Sequence, residues 1–154
     1  MTVKHLILWR HAEAEVLQHG ASDLARPLTK KGHKQAKQMA AWLKKYAPKQ
    51  TYVLVSPAMR TQETVAYWGE DWQSDSRLSP ERPIDPILHM LDSSPFDSVV
   101  LVGHQPWMGE LAARCLGLPD GQISIKKGAI WWLRLPKAGP PYKLYSVQSP
   151  DLID

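Results

Sequence analysis

Three short apolar runs mark the first two thirds of the chain: residues 5–9 (HLILW), 52–55 (YVLV) and 98–102 (SVVLV). Each is too short for a helix and lacks a polar/apolar alternation, so each predicts a strand buried on both faces. Between them the period lengthens. Over 30–47, Ala36, Met39, Ala40 and Leu43 recur at helical spacing with lysines opposite, and Pro48 follows as a stop. A second helix fits 59–68, where Thr61, Thr64, Val65 and Trp68 form a stripe. Shorter helices fit 84–92 and 107–116, the latter closed by Gly117.

The remaining stretches break these patterns. Residues 12–28, with Gly20 and Pro27, read as a loop carrying one helical turn, and the polar segment 69–83 reads as loop. Residues 129–135 (AIWWLRL) and 142–148 (YKLYSVQ) predict two strands joined by a Pro/Gly-rich turn at 136–141. Strands alternating with helices imply an α/β fold, a three-layer α/β/α sandwich around a mainly parallel sheet. The short final link makes the C-terminal strand pair antiparallel. No repeat, low-complexity tract or linker interrupts residues 1–154, which are expected to form a single domain.

Composition narrows the class. An apolar fraction of 44% and a charged fraction of 22% are those of a globular chain. No apolar run approaches the ~20 residues that a spanning helix needs, so no membrane partner is expected. The first residues lack the long h-region of a secretory signal, and Cys115 is the one cysteine; both favour the cytoplasm. Cys115 shares its helix with Leu111, Ala112 and Leu116, which predicts a buried, inert thiol. A net charge of +4 attracts anions. The lysine pairs 30–31, 44–45 and 126–127 are scattered rather than clustered, so no nucleic acid is expected.

Chemistry gathers at the strand ends. The first buried strand ends in Arg10-His11, the second leads through Ser56-Pro57 to Arg60, and the third ends in Gly103-His104-Gln105-Pro106. The carboxyl ends of parallel strands lie along one sheet edge, where ligands bind. Two arginines and two histidines therefore arrive together. Guanidinium forks donate paired hydrogen bonds to phosphate oxygens and stay charged. A neutral imidazole supplies a lone pair near physiological pH and can carry a phosphoryl group as a covalent intermediate. His11 is the expected nucleophile, with Arg10, Arg60 and His104 as catalytic donors. The site is expected to take phosphate or sulfate.

At this point the residues resemble a known family. Leu8-Trp9-Arg10-His11-Ala12-Glu13-Ala14, Val55-Ser56-Pro57-Ala58-Met59-Arg60-Thr61-Gln62-Glu63-Thr64 and Val102-Gly103-His104-Gln105-Pro106 resemble, in order and spacing, the motifs of the histidine phosphatase superfamily. The stretch 22–32 (SDLARPLTKKG), the small size and Gln148-Ser149-Pro150 are most similar to its SixA-type branch. The resemblance implies a phosphoglycerate mutase-like fold, a phospho-His11 intermediate, Arg26 near the pocket, and no cofactor or metal. Ala12 departs from the family's usual glycine. The chain has no asparagine, and little room is left between Trp68 and Val99 for a lid or an acidic proton donor.

An alkoxide leaving group needs a proton, and general acid catalysis is typically worth about 10²–10⁴-fold. Phosphohistidine departs as imidazole and dispenses with it. The expected partner is thus a phosphohistidine-bearing phosphotransfer or phosphocarrier protein. A broad small-molecule phosphomonoesterase and a non-catalytic phosphate-binding module are the alternatives. Gln105 either reaches the phosphate or caps the next helix. Glu13, Asp23, His89 and Asp92 are candidates for a proton donor or polar wall, and Trp107 for a pocket-lining or partner-facing ring.

Overall fold

The buried runs become the centre of one six-stranded sheet. The computed structural model describes residues 2–118 and 123–152. In chain order the elements are β1 (His5–Arg10), α1 (Lys30–Tyr46), β2 (Thr51–Val55), α2 (Met59–Ala66), β3 (Gln73–Ser74), α3 (Asp85–Asp92), β4 (Ser98–Gly103), α4 (Trp107–Cys115), β5 (Ile130–Arg134) and β6 (Lys143–Gln148). The sheet order is β3-β2-β4-β1-β5-β6. β3, β2, β4 and β1 run parallel, while β5 lies antiparallel to β1 and β6 antiparallel to β5. This is the expected three-layer α/β arrangement of the phosphoglycerate mutase-like fold.

Alternation along the strands sorts the two faces. Leu6, Leu8, Leu54, Val99, Leu101 and Leu133 pack with Ile87 and Leu91 of α3 and Met108 and Leu111 of α4. Ile7, Trp9, Val53, Val55, Val100 and Val102 pack on the other side with Met39 and Leu43 of α1 and Val65 of α2. Each fully buried Leu, Ile or Val of this kind contributes about 1.5–3 kcal/mol. That packing is what holds the strand ends rigid beneath the site.

Two details differ from the sequence expectation. β3 lies within the stretch read as loop; its exposed Gln73 and Ser74 carry no apolar pattern and are held by pairing with Leu54 and Val55 and by the Tyr52 hydroxyl, which donates to Gln73 Oε1 at 2.9 Å. Trp107 is a core residue. Its ring is 1% exposed, packs under the sheet, and donates from Nε1 to the Leu78 carbonyl at 3.1 Å. Gly103 makes this possible, since a Cβ there would lie 2.1 Å from the indole.

The loop after β1 is pinned to α1. Thr29 caps α1 by accepting from Gly32 N–H at 2.9 Å, and its own N–H donates to the Glu13 carbonyl at 3.0 Å. Gly32 allows that approach, because a Cβ would sit 2.0 Å from the Glu13 carbonyl oxygen. Among the described residues no helix is long and apolar enough to cross a membrane.

Candidate active site

The carboxyl ends of β1, β2 and β4 bring Arg10, His11, Ser56 and His104 to one edge, and the first turn of α2 adds Arg60. The rings of His11 and His104 lie 5.3 Å apart, centroid to centroid, inclined at 53°. Both imidazoles and Arg60 are buried. The backbone fixes these positions: His11 N–H donates to Gly103 O at 3.1 Å, and Gly128 N–H donates to His11 O at 2.8 Å. Ala12 N–H donates to Thr64 Oγ1 at 3.0 Å, and that hydroxyl donates to Arg60 O at 2.7 Å. Thr64 thereby couples the His11 loop to the helix bearing Arg60. The methyl of Ala12, where the family favours glycine, packs with Leu28 and Ala36.

The hydrogen-bonding state of His11 is fixed by its neighbour. His11 Nδ1 lies 2.7 Å from Ala12 O, and since a carbonyl can only accept, Nδ1 carries the proton. The lone pair is left on Nε2. Burial, reinforced by the charges of Arg60 and Arg10, pushes His11 down to about 3 despite its bond to Ala12 O. Burial and the same neighbours push His104 to about 2. Both imidazoles are therefore neutral at pH 7. Burial also lowers both guanidiniums, with Arg60 adding to the effect on Arg10. They remain cationic.

Three buried nitrogens in this cluster, Arg10 Nε, Arg60 Nε and His104 Nδ1, have no hydrogen-bond partner among the described residues. Buried polar groups are rarely left unpaired. Two guanidinium donors beside two neutral imidazoles suit an anion with several oxygen acceptors.

Both guanidiniums are also anchored to the protein. Arg10 Nη1 donates to Ile125 O at 2.8 Å. Arg60 Nη1 donates to the Asp23 carbonyl at 2.9 Å and Nη2 to its carboxylate at 3.1 Å. The short turn 23–25 thus closes one wall of the site. Asp23 also accepts from Arg26 Nε at 3.0 Å, and Arg26 Nη1 reaches Glu15 O at 2.9 Å. Partial burial would raise the Asp23 carboxyl, but the charges and hydrogen bonds of Arg60 and Arg26 outweigh it and hold it below its ordinary value. Arg26 consequently stands next to the pocket, joined to Arg60 through one shared carboxylate.

The other sequence candidates separate from the cluster. Gln105 takes the capping role: its amide oxygen accepts from Gly109 N–H at 2.6 Å and its nitrogen donates to Ile123 O at 2.8 Å. Those bonds hold the amide on the backbone and correct the expectation of a phosphate contact. Glu13 accepts from the Thr29 hydroxyl at 2.7 Å. Asp92 ends α3 and acts electrostatically on Cys115 and Tyr142, near the start of β1, the opposite end of the sheet. His89 is exposed on the same helix. Cys115 is buried, and its thiol is pushed up to about 12. Among the described residues no group of three or more His, Cys, Asp or Glu is placed to hold a metal.

Ser56 and Thr64 belong to the motif around Arg60, but no role was expected of them, nor of the Ile125 carbonyl. For Ser56 a signal existed, because it directly follows a buried parallel strand. The Ile125 contact joins the Arg10 side chain to a carbonyl 115 residues away, which no local pattern announces.

A phosphoglycerate mutase-like sheet whose edge carries paired histidines and arginines is the arrangement of a histidine phosphatase. The model for the histidine phosphatase superfamily (branch 1) matches residues 6–82. The chain belongs to that superfamily, in its SixA-type branch. It is 31% identical over 129 residues to a phosphohistidine phosphatase SixA homolog of Haemophilus influenzae, covering 73% of this chain and 77% of that one. It is also 31% identical over 117 residues to phosphohistidine phosphatase SixA of Escherichia coli, covering 70% and 71%. The structure of protein histidine phosphatase SixA complexed with tungstate superposes with a TM-score of 0.81 at 26% identity, covering 96% of this chain and 97% of that chain.

Proposed function

We propose that this phosphatase removes a phosphoryl group from phosphohistidine on a protein, through a phospho-His11 intermediate. The observation that carries the reading is the convergence of the His11 Nε2 lone pair with three unpaired buried nitrogens, Arg10 Nε, Arg60 Nε and His104 Nδ1. Nε2 attacks phosphorus in line with the leaving nitrogen. The new N–P bond forms as the substrate's P–N bond breaks, and the departing imidazole takes the electron pair and a proton from water. Arg10, Arg60 and His104 hold the non-bridging oxygens as charge redistributes. Water then cleaves the phospho-His11 bond to release inorganic phosphate. The tungstate complex of the SixA structure supports a phosphate-like ligand at such a site.

Among the described residues the acid bonded to the cluster is Asp23, and its state favours phosphoramidate over phosphate esters. Asp23, the carboxylate nearest the two arginines, is held ionised and has no proton to donate at neutral pH. Arg26 acts through Asp23 on Arg60, and Gln105 acts by fixing the turn after His104. The test is rapid-quench labelling with a ³²P-phosphohistidine carrier protein, alongside a panel of phosphomonoesters. An acid-labile phosphoenzyme that vanishes in His11→Ala is expected. Faster turnover of esters than of the phosphoprotein would reverse the substrate assignment, and no phosphoenzyme in the wild type would leave only a binding module.

A further inference from the structure

We propose that Ser56 is a positioning residue that sets the tautomer of His104: its hydroxyl donates to Nε2 and keeps the ring proton on Nδ1, where it is offered to the phosphoryl oxygens. The role of that proton rests on the phosphatase reading above. The tautomer does not.

Ser56 follows β2 and is fully buried. Its N–H donates to Val102 O at 3.0 Å, which locks its backbone beside the end of β4, one residue from the turn that carries His104. Its Oγ has two polar neighbours. Ala58 N–H donates to it at 3.3 Å, and His104 Nε2 lies 2.8 Å away. A serine hydroxyl carries one hydrogen and two lone pairs. Ala58 N–H occupies a lone pair, so the direction of the remaining bond decides everything.

Were Nε2 protonated, it would donate to Oγ and strand the hydroxyl hydrogen, since among the described residues Oγ bonds only to Ala58 N–H and His104 Nε2. Nδ1 would then present a lone pair to the oxygens of a bound anion, which is repulsive. With the hydroxyl donating, the serine hydrogen, its lone pair and Nε2 are all satisfied. Nδ1 then bears N–H, matching in polarity the unpaired Nε groups of Arg10 and Arg60. The doubly protonated ring is opposed by burial and by both guanidiniums. A ring nitrogen's state is set by the bond its partner nitrogen makes.

The two histidines consequently share one tautomer and use opposite ends of it. His11 spends its Nδ1 proton on Ala12 O and keeps a nucleophilic Nε2. His104 engages Nε2 with Ser56 and keeps a donor at Nδ1.

The test is ¹⁵N–¹H NMR of histidine-labelled protein at neutral pH, with and without inorganic phosphate. His104 is expected to show a protonated Nδ1 and a bare Nε2 in both states. Ser56→Ala is expected to transfer population to the Nε2–H form and lower kcat on a phosphohistidine protein on the order of 10–100-fold, as for other groups that orient an imidazole, with a smaller change in KM. A wild-type His104 protonated at Nε2 overturns the proposal, as does Ser56→Ala with an unshifted tautomer. If Ser56→Ala does not fold, the wild-type spectrum decides alone. Since that spectrum needs no turnover, a protein with Nδ1–H but no phosphatase activity would refute the function and leave the tautomer assignment standing.

Discussion

Burying two neutral imidazoles beside two guanidiniums makes the fold sensitive to mild acid. His11 is held at about 3 and His104 at about 2, against an ordinary value near 6.5. When the pH falls from 7 to 5, each of these side chains takes up a proton in the unfolded chain, while the folded rings stay neutral. Stability rises with pH wherever the unfolded state binds more protons. It is therefore lost as pH drops below about 6.5, and the loss ends only near the folded values. Integration of that uptake to pH 5 gives about 2 kcal/mol per imidazole, or about 4 kcal/mol for the pair. Against a typical total of about 5–15 kcal/mol, this is a large share.

The assay is urea unfolding at pH 7 and pH 5 in phosphate-free buffer at constant ionic strength. Wild type should lose about 4 kcal/mol, while His11→Gln and His104→Gln should each lose about half as much. Burial also lowers His5, which adds to every loss, but that residue is present in every variant and cancels in the differences. Carboxylates titrate mostly below this window. A wild-type stability that is flat between pH 7 and 5, or variants with the same slope as wild type, would refute the electrostatic account of the site.

Other perturbations probe single contacts. Arg60→Ala removes one fixed donor and should lower kcat about 10²–10³-fold, measured on a phosphohistidine protein. Asp23→Asn takes the negative charge from between Arg60 and Arg26; because this carboxylate is 44% exposed, solvent limits its pairing to about 1 kcal/mol. Competitive inhibition by phosphate should tighten roughly fivefold while kcat falls, as Arg60 loses a restraint on its orientation; weaker inhibition would contradict the geometry. Gly103→Ala drives a methyl into the Trp107 indole, where its Cβ would lie 2.1 Å away. Overpacking of this kind costs about 1–3 kcal/mol, so the melting temperature should fall.

The apolar patterns carried the architecture because strands buried on both faces leave unbroken hydrophobic runs, and amphipathic helices leave a 3.6-residue stripe. The main helices and the strands other than β3 were legible for that reason. Arg10, His11, Arg60 and His104 were legible too, since each sits on or just past the end of a recognisable strand and a parallel sheet brings such ends together. β3 was not, as two exposed polar residues paired at an edge have no periodicity.

What the chain order leaves open is which distant groups share a hydrogen bond. Asp23 reads from the sequence as a candidate proton donor or polar wall; only packing places it between Arg60 and Arg26 as a shared strut. Ser56 looks like a turn residue until the alignment of β2 with β4 brings its hydroxyl to His104. Trp107 follows the His104 turn, yet the missing side chain at Gly103 lets it fold inward to the core. Local pattern decides which segments are buried, because burial acts through apolar area and needs no specific partner. Direction of a hydrogen bond, tautomer and charge state depend on atoms a few ångströms apart in space and far apart in the chain, and these exist only once the layers have packed.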